Sequence, residues 1–170
     1  MTEDQYDNLI DFYISGDTRR YHNKRGIPIQ TVKDHFAGML LLLLKLHPNP
    51  SANLMRAIVT HDLPETDGFF CDIPHDLKEE YPVFREIEGK KTVEFHQHFG
   101  ISEAQLTEIE QLWLKYLDGL EVICYIETNV PQPNLQSTKI YNRQMEKTNV
   151  LEQRLRAFGF FTEPENKILQ

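Results

Sequence analysis

The adjacent residues His61 and Asp62 stand where a short apolar helix is predicted to end, and Glu65 follows three positions later. Neighbouring imidazole and carboxylate groups can ligate one divalent metal ion. His35 lies 26 residues before His61, and Asp118 lies 56 residues after Asp62, each within an apolar helical segment. Two imidazoles and two carboxylates suit a divalent transition metal better than calcium or a thiolate-bound structural zinc. Such an ion, with open coordination positions, activates water and polarises a phosphoryl group, so the set predicts hydrolytic chemistry.

The predicted ligands occupy inward positions of their helices. His35 shares the apolar side of its helix with Val32 and Met39. Asp118 also has apolar neighbours at helical spacing, and a carboxylate there is costly unless a cation or hydrogen-bond donors satisfy it. Each residue alone is explained by a hydrogen-bonded core histidine or an ion pair. Together they favour a metal site, because a bundle brings ligands together from facing helices. Gly38 costs about 1 kcal/mol relative to Ala inside a helix, which indicates a need for space.

Length and charge restrict the function classes. The chain of 170 residues is long enough for one domain with a proper core. Its net charge of −8 argues against a general nucleic-acid or membrane-surface binder, yet it allows a small anionic substrate. The two cysteines form no CxxC pattern, and the N-terminus has no signal-peptide apolar core. A cytoplasmic location is therefore predicted.

The apolar spacing is helical nearly throughout and shows no run of period-two alternation, which predicts an all-α fold in one domain, residues 1–170. Helices are predicted over Glu3–Ile14, Thr31–Leu46, Asn53–Asp62, Val83–Phe99, Ser102–Asn129 and Leu135–Arg156. Residues 16–30 are predicted to form a loop. Pro64 should end the third helix just after the His-Asp pair. Ser102 and Gln105 form a capping box that predicts the start of the long fifth helix.

The ligand candidates, taken in order, resemble the H…HD…D signature of the HD-domain phosphohydrolases. Further segments follow in that family's order, namely Arg20-Tyr21-His22, Gln30-Thr31-Val32, the HDLPET run from His61, Asp72-Ile73-Pro74 and Lys115. Together these motifs span residues 20–125. They resemble the branch that contains bacterial and phage 5′-deoxynucleotidases and phage deoxynucleoside triphosphohydrolases, including dATP-directed ones. Tyr21 stands where this branch frequently has Trp.

The resemblance implies a single HD-type helical bundle, with a C-terminal helix and apolar tail over residues 135–170. It implies metal-dependent hydrolysis of 2′-deoxynucleotides by metal-activated water. Either the 5′-phosphate of a dNMP is removed, or a dNTP is split into deoxynucleoside and triphosphate. The implied cofactor is Co, Mn or Zn, with Mg as an optional second ion. The implied setting is a bacterial cytoplasm or the cytoplasm of a phage-infected host.

Three cations and one acid are predicted to act beside the metal ligands. Glu65, just past the helix break, is the candidate general acid/base, and the resemblance assigns it the same role. Arg20, in a polar segment, can make a bidentate phosphate contact. Lys78 and Lys115 are further candidates for phosphate binding.

Two residues are candidates for contacts to the nucleoside. Tyr21 offers an aromatic face for a base, although packing explains it equally well. Asp72, by resemblance, would accept a hydrogen bond from the sugar 3′-hydroxyl.

Two other functions stay open at this point. One is a hydrolase of signalling or cyclic nucleotides, and the other is a non-catalytic HD module that senses nucleotides. No nucleic-acid or membrane partner is predicted. The acidic surface and the apolar tail at Phe158, Phe160 and Phe161 favour a homo-oligomer, with the tail docked on its own domain or on a partner subunit.

Overall fold

The structure, a computed structural model, describes residues 1–22, 24–66, 73 and 75–161. Its helices are α1 (Glu3–Ser15), α2 (Val32–Leu46), α3 (Ala52–Thr60), α4 (His75–Glu80), α5 (Val83–Phe99), α6 (Glu108–Asn129) and α7 (Leu135–Ala157). Two short strands, β1 (Arg19–Arg20) and β2 (Gln30–Thr31), pair antiparallel, and a 3-10 turn covers Leu63–Glu65. The predicted all-α fold is confirmed.

The two strands lie inside the segment that was predicted to be a loop. Arg19 pairs with Thr31 and Arg20 pairs with Gln30, so the ribbon holds Arg20 beside the N-terminus of α2. Strands of two residues are too short to produce a period-two pattern in the sequence. The ribbon matters because α2 carries His35.

Helix α6 is the centre of the bundle and packs against α2, α3 and α7. Its residues Trp113 and Leu117 are fully buried, as are Met39 and Leu43 of α2. The two helices that carry His35 and Asp118 therefore also supply these core residues. None of the helices in the described ranges is both long and apolar enough to cross a bilayer.

The start of α6 differs from the prediction. The helix begins at Glu108 rather than Ser102, because a second capping box forms between Thr107 and Glu110. The Thr107 hydroxyl accepts a hydrogen bond from the Glu110 N–H at 3.3 Å, and the Glu110 carboxylate accepts one from the Thr107 N–H at 2.8 Å. Ser51 at the start of α3 also donates its hydroxyl to Glu110. The predicted start is wrong because the helix uses the later of two candidate capping boxes, the one that also contacts the start of α3 through Ser51.

The third predicted helix ends just before the His-Asp pair, two residues earlier than expected. Helix α3 stops at Thr60, and His61 and Asp62 follow before the 3-10 turn. Pro64 lies at the beginning of that turn, in agreement with its predicted helix-breaking role. The break turns the chain so that Glu65 follows the His-Asp pair on a tight turn.

The apolar tail docks on its own domain. The rings of Phe160 and Phe161 lie 5.2 and 5.3 Å from that of Trp113, centroid to centroid. The Arg156 guanidinium donates a hydrogen bond of 2.7 Å to the Phe161 carbonyl. These contacts confirm the intramolecular alternative for Phe160 and Phe161, while Phe158 is 48% exposed.

Candidate metal centre

His35, His61 and Asp118 converge from α2, from the end of α3 and from α6. One ligand atom from each lies within 4.8 Å of the other two. The imidazole centroids of His35 and His61 are 5.5 Å apart, and His35 Nε2 is 3.4 Å from Asp118 Oδ1. Three of the four predicted ligands therefore meet at one point, although they are far apart in sequence.

The fourth predicted ligand, Asp62, borders this group. Its Oδ2 atom is 3.6 Å from His35 Nε2, and its Oδ1 atom is 3.3 Å from His61 Nε2. The same carboxylate forms an ion pair with the Arg20 guanidinium. Burial would raise the pKa of Asp62, but the neighbouring His61 and the charge of Arg20 outweigh it and lower the pKa. Asp62 is thus an ionised carboxylate within reach of both imidazoles.

Hydrogen bonds fix both imidazoles in the tautomer that a metal ligand needs. His35 Nδ1 is 2.5 Å from Glu121 Oε2, and His61 Nδ1 is 2.8 Å from the carbonyl oxygen of Ile58. Each acceptor takes the Nδ1 proton, so each Nε2 is left with a lone pair. Both Nε2 atoms are buried and have no hydrogen-bond partner among the described residues. The donor set fits a divalent transition metal held by two Nε2 atoms and carboxylate oxygens.

Glu121 is the site residue that sequence reasoning missed. It lies on α6 three residues after Asp118, is buried, and accepts a 2.6 Å hydrogen bond from Gln30 Nε2 as well as the one from His35. A methyl group on Gly38 would lie 2.9 Å from the Cγ and Oε1 atoms of Glu121. The space that Gly38 leaves is therefore filled by this carboxylate. A glutamate in an apolar stretch, one turn after a predicted ligand, was the available signal.

The electrostatics of the site favour a positive charge at His35 Nε2. Burial and the charge of Arg20 lower the pKa of His35, but the hydrogen bond with Glu121 and the nearby carboxylates of Asp118 and Asp62 outweigh both and raise it. Burial raises the pKa of Asp118, yet the neighbouring imidazole of His35 outweighs burial and lowers the pKa overall. A neutral Nε2 would direct its lone pair toward carboxylate oxygens, which is unfavourable. Either a proton or a metal ion at Nε2 relieves this repulsion.

Glu65 and Lys78 form an ion pair beside the His-Asp turn. Lys78 Nζ lies 3.3 Å from Glu65 Oε1 and also pairs with Glu88 of α5. Burial lowers the pKa of Lys78, but the charges of Glu65 and Glu88 raise it overall. The lysine is thus a charged group that holds the predicted general acid/base. Its predicted contact with phosphate stays a prediction.

The remaining predicted substrate contacts have different outcomes. Tyr21 has a positive φ of 61°, an uncommon conformation for a bulky residue, and its ring stacks on Tyr125 at 5.7 Å. The ring of Tyr21 thus takes part in packing, which was the alternative to stacking on a nucleobase. Lys115 is exposed on α6, one turn before Asp118. Asp72 lies outside the described residues.

A further cation reaches the site from α7. Lys147 Nζ lies 3.9 Å from Asp118 Oδ2. Sequence reasoning missed this residue, because α7 carries many polar side chains and Lys147 follows no motif. Its proximity to Asp118 is decided by the packing of α7 on α6.

No family model, no curated protein and no solved structure matches the chain.

The variant Glu121→Gln should weaken metal binding. Gln30 can turn its side-chain amide to meet the new amide, so the hydrogen bond from His35 Nδ1 survives while the negative charge behind it is lost. We expect the affinity for Mn²⁺ or Co²⁺ to fall by about 10- to 100-fold, the usual effect of losing an outer partner of a ligand histidine. Isothermal titration calorimetry measures this metal affinity. Glu108→Gln, an exposed carboxylate on the same helix, is the matched control. Equal affinities for both variants would contradict the role of Glu121.

The pKa values predict how the stability of the metal-free protein depends on pH. The raised pKa of His35 gives a contribution that is fully present below about pH 6.5 and is lost as the pH rises through the folded-state value. The lowered pKa values of Asp62 and Asp118 give contributions that are present above about pH 4 and are lost as the pH falls through their folded-state values. With chelator present, we therefore expect Tm to decrease from about pH 6 to about pH 9.

Two comparisons assign this effect to His35. The slope of Tm against pH should be shallower in His35→Gln than in the wild type, whatever the absolute stability of the variant. Metal affinity should rise over the same pH interval, since a proton and a metal ion compete for Nε2. A wild-type Tm that stays constant or rises with pH in chelator would disprove the expectation.

Proposed function

We propose that this protein is a metal-dependent phosphohydrolase that acts on 2′-deoxynucleotides. The observation that carries the proposal is the pair of buried Nε2 atoms of His35 and His61, which lack hydrogen-bond partners in the described ranges and lie beside Asp118. A divalent cation bound there, with Asp62 as fourth ligand, supplies Lewis-acid polarisation of a phosphoryl oxygen and lowers the pKa of water. The four side chains contribute two neutral nitrogen donors and two anionic oxygen donors.

Substrate access is supported by the uneven burial of the ligands. The side chain of His35 is fully buried, whereas that of Asp62 is 19% exposed and that of Asp118 is 32% exposed. The side chain of His61 is also 19% exposed, so the side of the centre opposite His35 is the side that a substrate can reach. Glu121 binds the opposite ring nitrogen of His35, Nδ1.

The ion pair of Arg20 with Asp62 supports an anionic substrate. Burial lowers the pKa of Arg20, but the charges of Asp62, Asp118 and Glu65 outweigh it, so the guanidinium stays charged. A divalent cation on Asp62 would compete for the same carboxylate and leave the guanidinium available to another anion. A phosphate group matches the planar fork of arginine donors. Arg20 is therefore the proposed phosphate contact on the side of β1.

Glu65 is the proposed general acid/base. It follows Asp62 by three residues, and its charge contributes to the raised pKa of Arg20, which itself contacts Asp62. The charges of Glu65 and Arg20 thus interact. Lys78, 3.3 Å away, orients Glu65. In the proposed reaction Glu65 takes a proton from the attacking water and delivers it to the leaving oxygen.

The choice of 2′-deoxynucleotides rests on the ordered motifs over residues 20–125. Removal of one phosphate from a dNMP and release of triphosphate from a dNTP need the same ligands, acid/base and Arg20, so both reactions belong to the proposal. Cytoplasmic location and homo-oligomeric assembly remain parts of it.

A substrate panel tests the proposal directly. The purified protein, loaded with Mn²⁺ or Co²⁺, is incubated with each dNMP, dNTP and ribonucleotide, and with cyclic and signalling nucleotides. We expect turnover of deoxynucleotides that stops when the metal is removed by chelator. Orthophosphate from dNMPs identifies a 5′-deoxynucleotidase, and tripolyphosphate from dNTPs identifies a triphosphohydrolase. Turnover of cyclic or signalling nucleotides alone would replace the proposed substrate class, and no turnover of any nucleotide would refute hydrolysis altogether.

The variant Glu65→Gln separates catalysis from metal binding. Removal of a general acid/base should lower kcat by about 10²- to 10⁴-fold, because the proton then has no carboxylate to accept it. Metal content, measured by elemental analysis, should stay at the wild-type level, since Glu65 is not among the proposed ligands. Glu80→Gln, an exposed carboxylate on α4, serves as control and should keep wild-type kcat. A variant Glu65→Gln with unchanged kcat would remove Glu65 from the mechanism.

A further inference from the structure

We infer that Lys147 of α7 binds the phosphate of the nucleotide next to the metal centre, an inference that rests on the proposed function. Its Nζ atom lies 3.9 Å from Asp118 Oδ2, and the two side chains are 41% and 32% exposed. Asp118 Oδ1 lies on the other side, 3.4 Å from His35 Nε2. Lys147 therefore stands at the accessible edge of the centre, opposite the buried imidazole.

Close packing between α6 and α7 determines the position of Lys147 beside Asp118. A methyl group on Gly119, the neighbour of Asp118, would lie 3.0 Å from Thr148 Cγ2 and 3.3 Å from Gln144 Oε1. Thr148, the neighbour of Lys147, is buried against this glycine. The two helices thus approach closely at the level of the metal centre. Such packing fixes the backbone of Lys147, while its four-carbon stem leaves the ammonium group mobile.

The ion pair of Lys147 with Asp118 is weak enough for the lysine to leave Asp118 and bind another anion. A lysine–carboxylate pair at 3.9 Å with both groups partly exposed contributes little to stability. A divalent cation on Asp118 would neutralise the carboxylate that now attracts Lys147. A phosphate oxygen near that cation is then the stronger anionic partner, because charge-assisted hydrogen bonds to phosphate are short and strong.

Lys147 would complete a set of cations that enter from different elements. Arg20 approaches from β1, on the side of Asp62, and Lys78 approaches from α4, on the side of Glu65. Lys147 approaches from α7, on the side of Asp118. A phosphate between these cations would contact protein donors on more than one side. Since the phosphate beside the metal is present in both dNMPs and dNTPs, Lys147 should matter for either substrate.

Binding of phosphate itself tests the inference. The full chain, loaded with Mn²⁺, is titrated with inorganic phosphate and separately with tripolyphosphate in a calorimeter. Loss of one charge-assisted contact should weaken binding to Lys147→Met by about 10-fold or more, and raise KM for any nucleotide turned over by a similar factor. Lys147→Arg should keep most of the affinity. Lys139→Met, an exposed lysine on the same helix, should equal the wild type.

The outcomes separate a binding role from a structural one. If Lys147 binds phosphate, the affinity of Lys147→Met for Mn²⁺ and its Tm stay at or above wild-type values, since Asp118 keeps its charge for the metal. Equal phosphate affinity in Lys147→Met and wild type would overturn the inference, and so would a wild type that binds neither anion. Lower Tm and weaker Mn²⁺ binding with unchanged KM would show a packing role instead. If the wild-type protein turns over no nucleotide, the proposed function is refuted. The phosphate titration still tests whether Lys147 binds phosphate.

Discussion

The candidate site depends on one fully buried imidazole. His35 is packed inside the bundle, where a ring nitrogen without a partner is costly. Glu121 satisfies Nδ1, and this fixes the lone pair of Nε2 toward Asp118 and Asp62. Two carboxylates facing one lone pair require a cation between them. A proton satisfies this requirement at low pH, and a divalent metal ion satisfies it in the proposed enzyme.

Helix α6 supplies the carboxylates and the space that this arrangement needs. Asp118 and Glu121 are three residues apart, so they lie on one side of the helix and meet His35 at different ring nitrogens. Gly38 leaves room for the Glu121 side chain, and Gly119 lets α7 approach. The glycine at position 38 costs helix stability locally, and the hydrogen bonds of Glu121 to His35 and Gln30 offset that cost. The close packing of these helices therefore also determines the geometry of the site.

The distribution of charge explains how an acidic chain can receive an anion. Among the described residues, three acids at the site have cationic partners, in the pairs Asp62 with Arg20, Glu65 with Lys78 and Asp118 with Lys147. A metal ion that neutralises the aspartates would leave two of these cations available to a phosphate. The net charge of −8 is thus compatible with a locally positive centre. Local pairing, rather than overall charge, decides what the site attracts.

The sequence alone determined the helical class, the presence of a helix break near the His61-Asp62 pair, and the ligand candidates, because helical periodicity, Pro64 and inward polar residues are local signals. It could not find Glu121 or Lys147, whose roles depend on which helices lie side by side. It also misplaced the start of α6, since the helix uses the later of two candidate capping boxes, the one that also contacts Ser51 at the start of α3. Local chemistry identified the candidate ligands. Only the packing of α2, α6 and α7 decided what surrounds them, because distances between helices are not encoded in the spacing of residues along one chain.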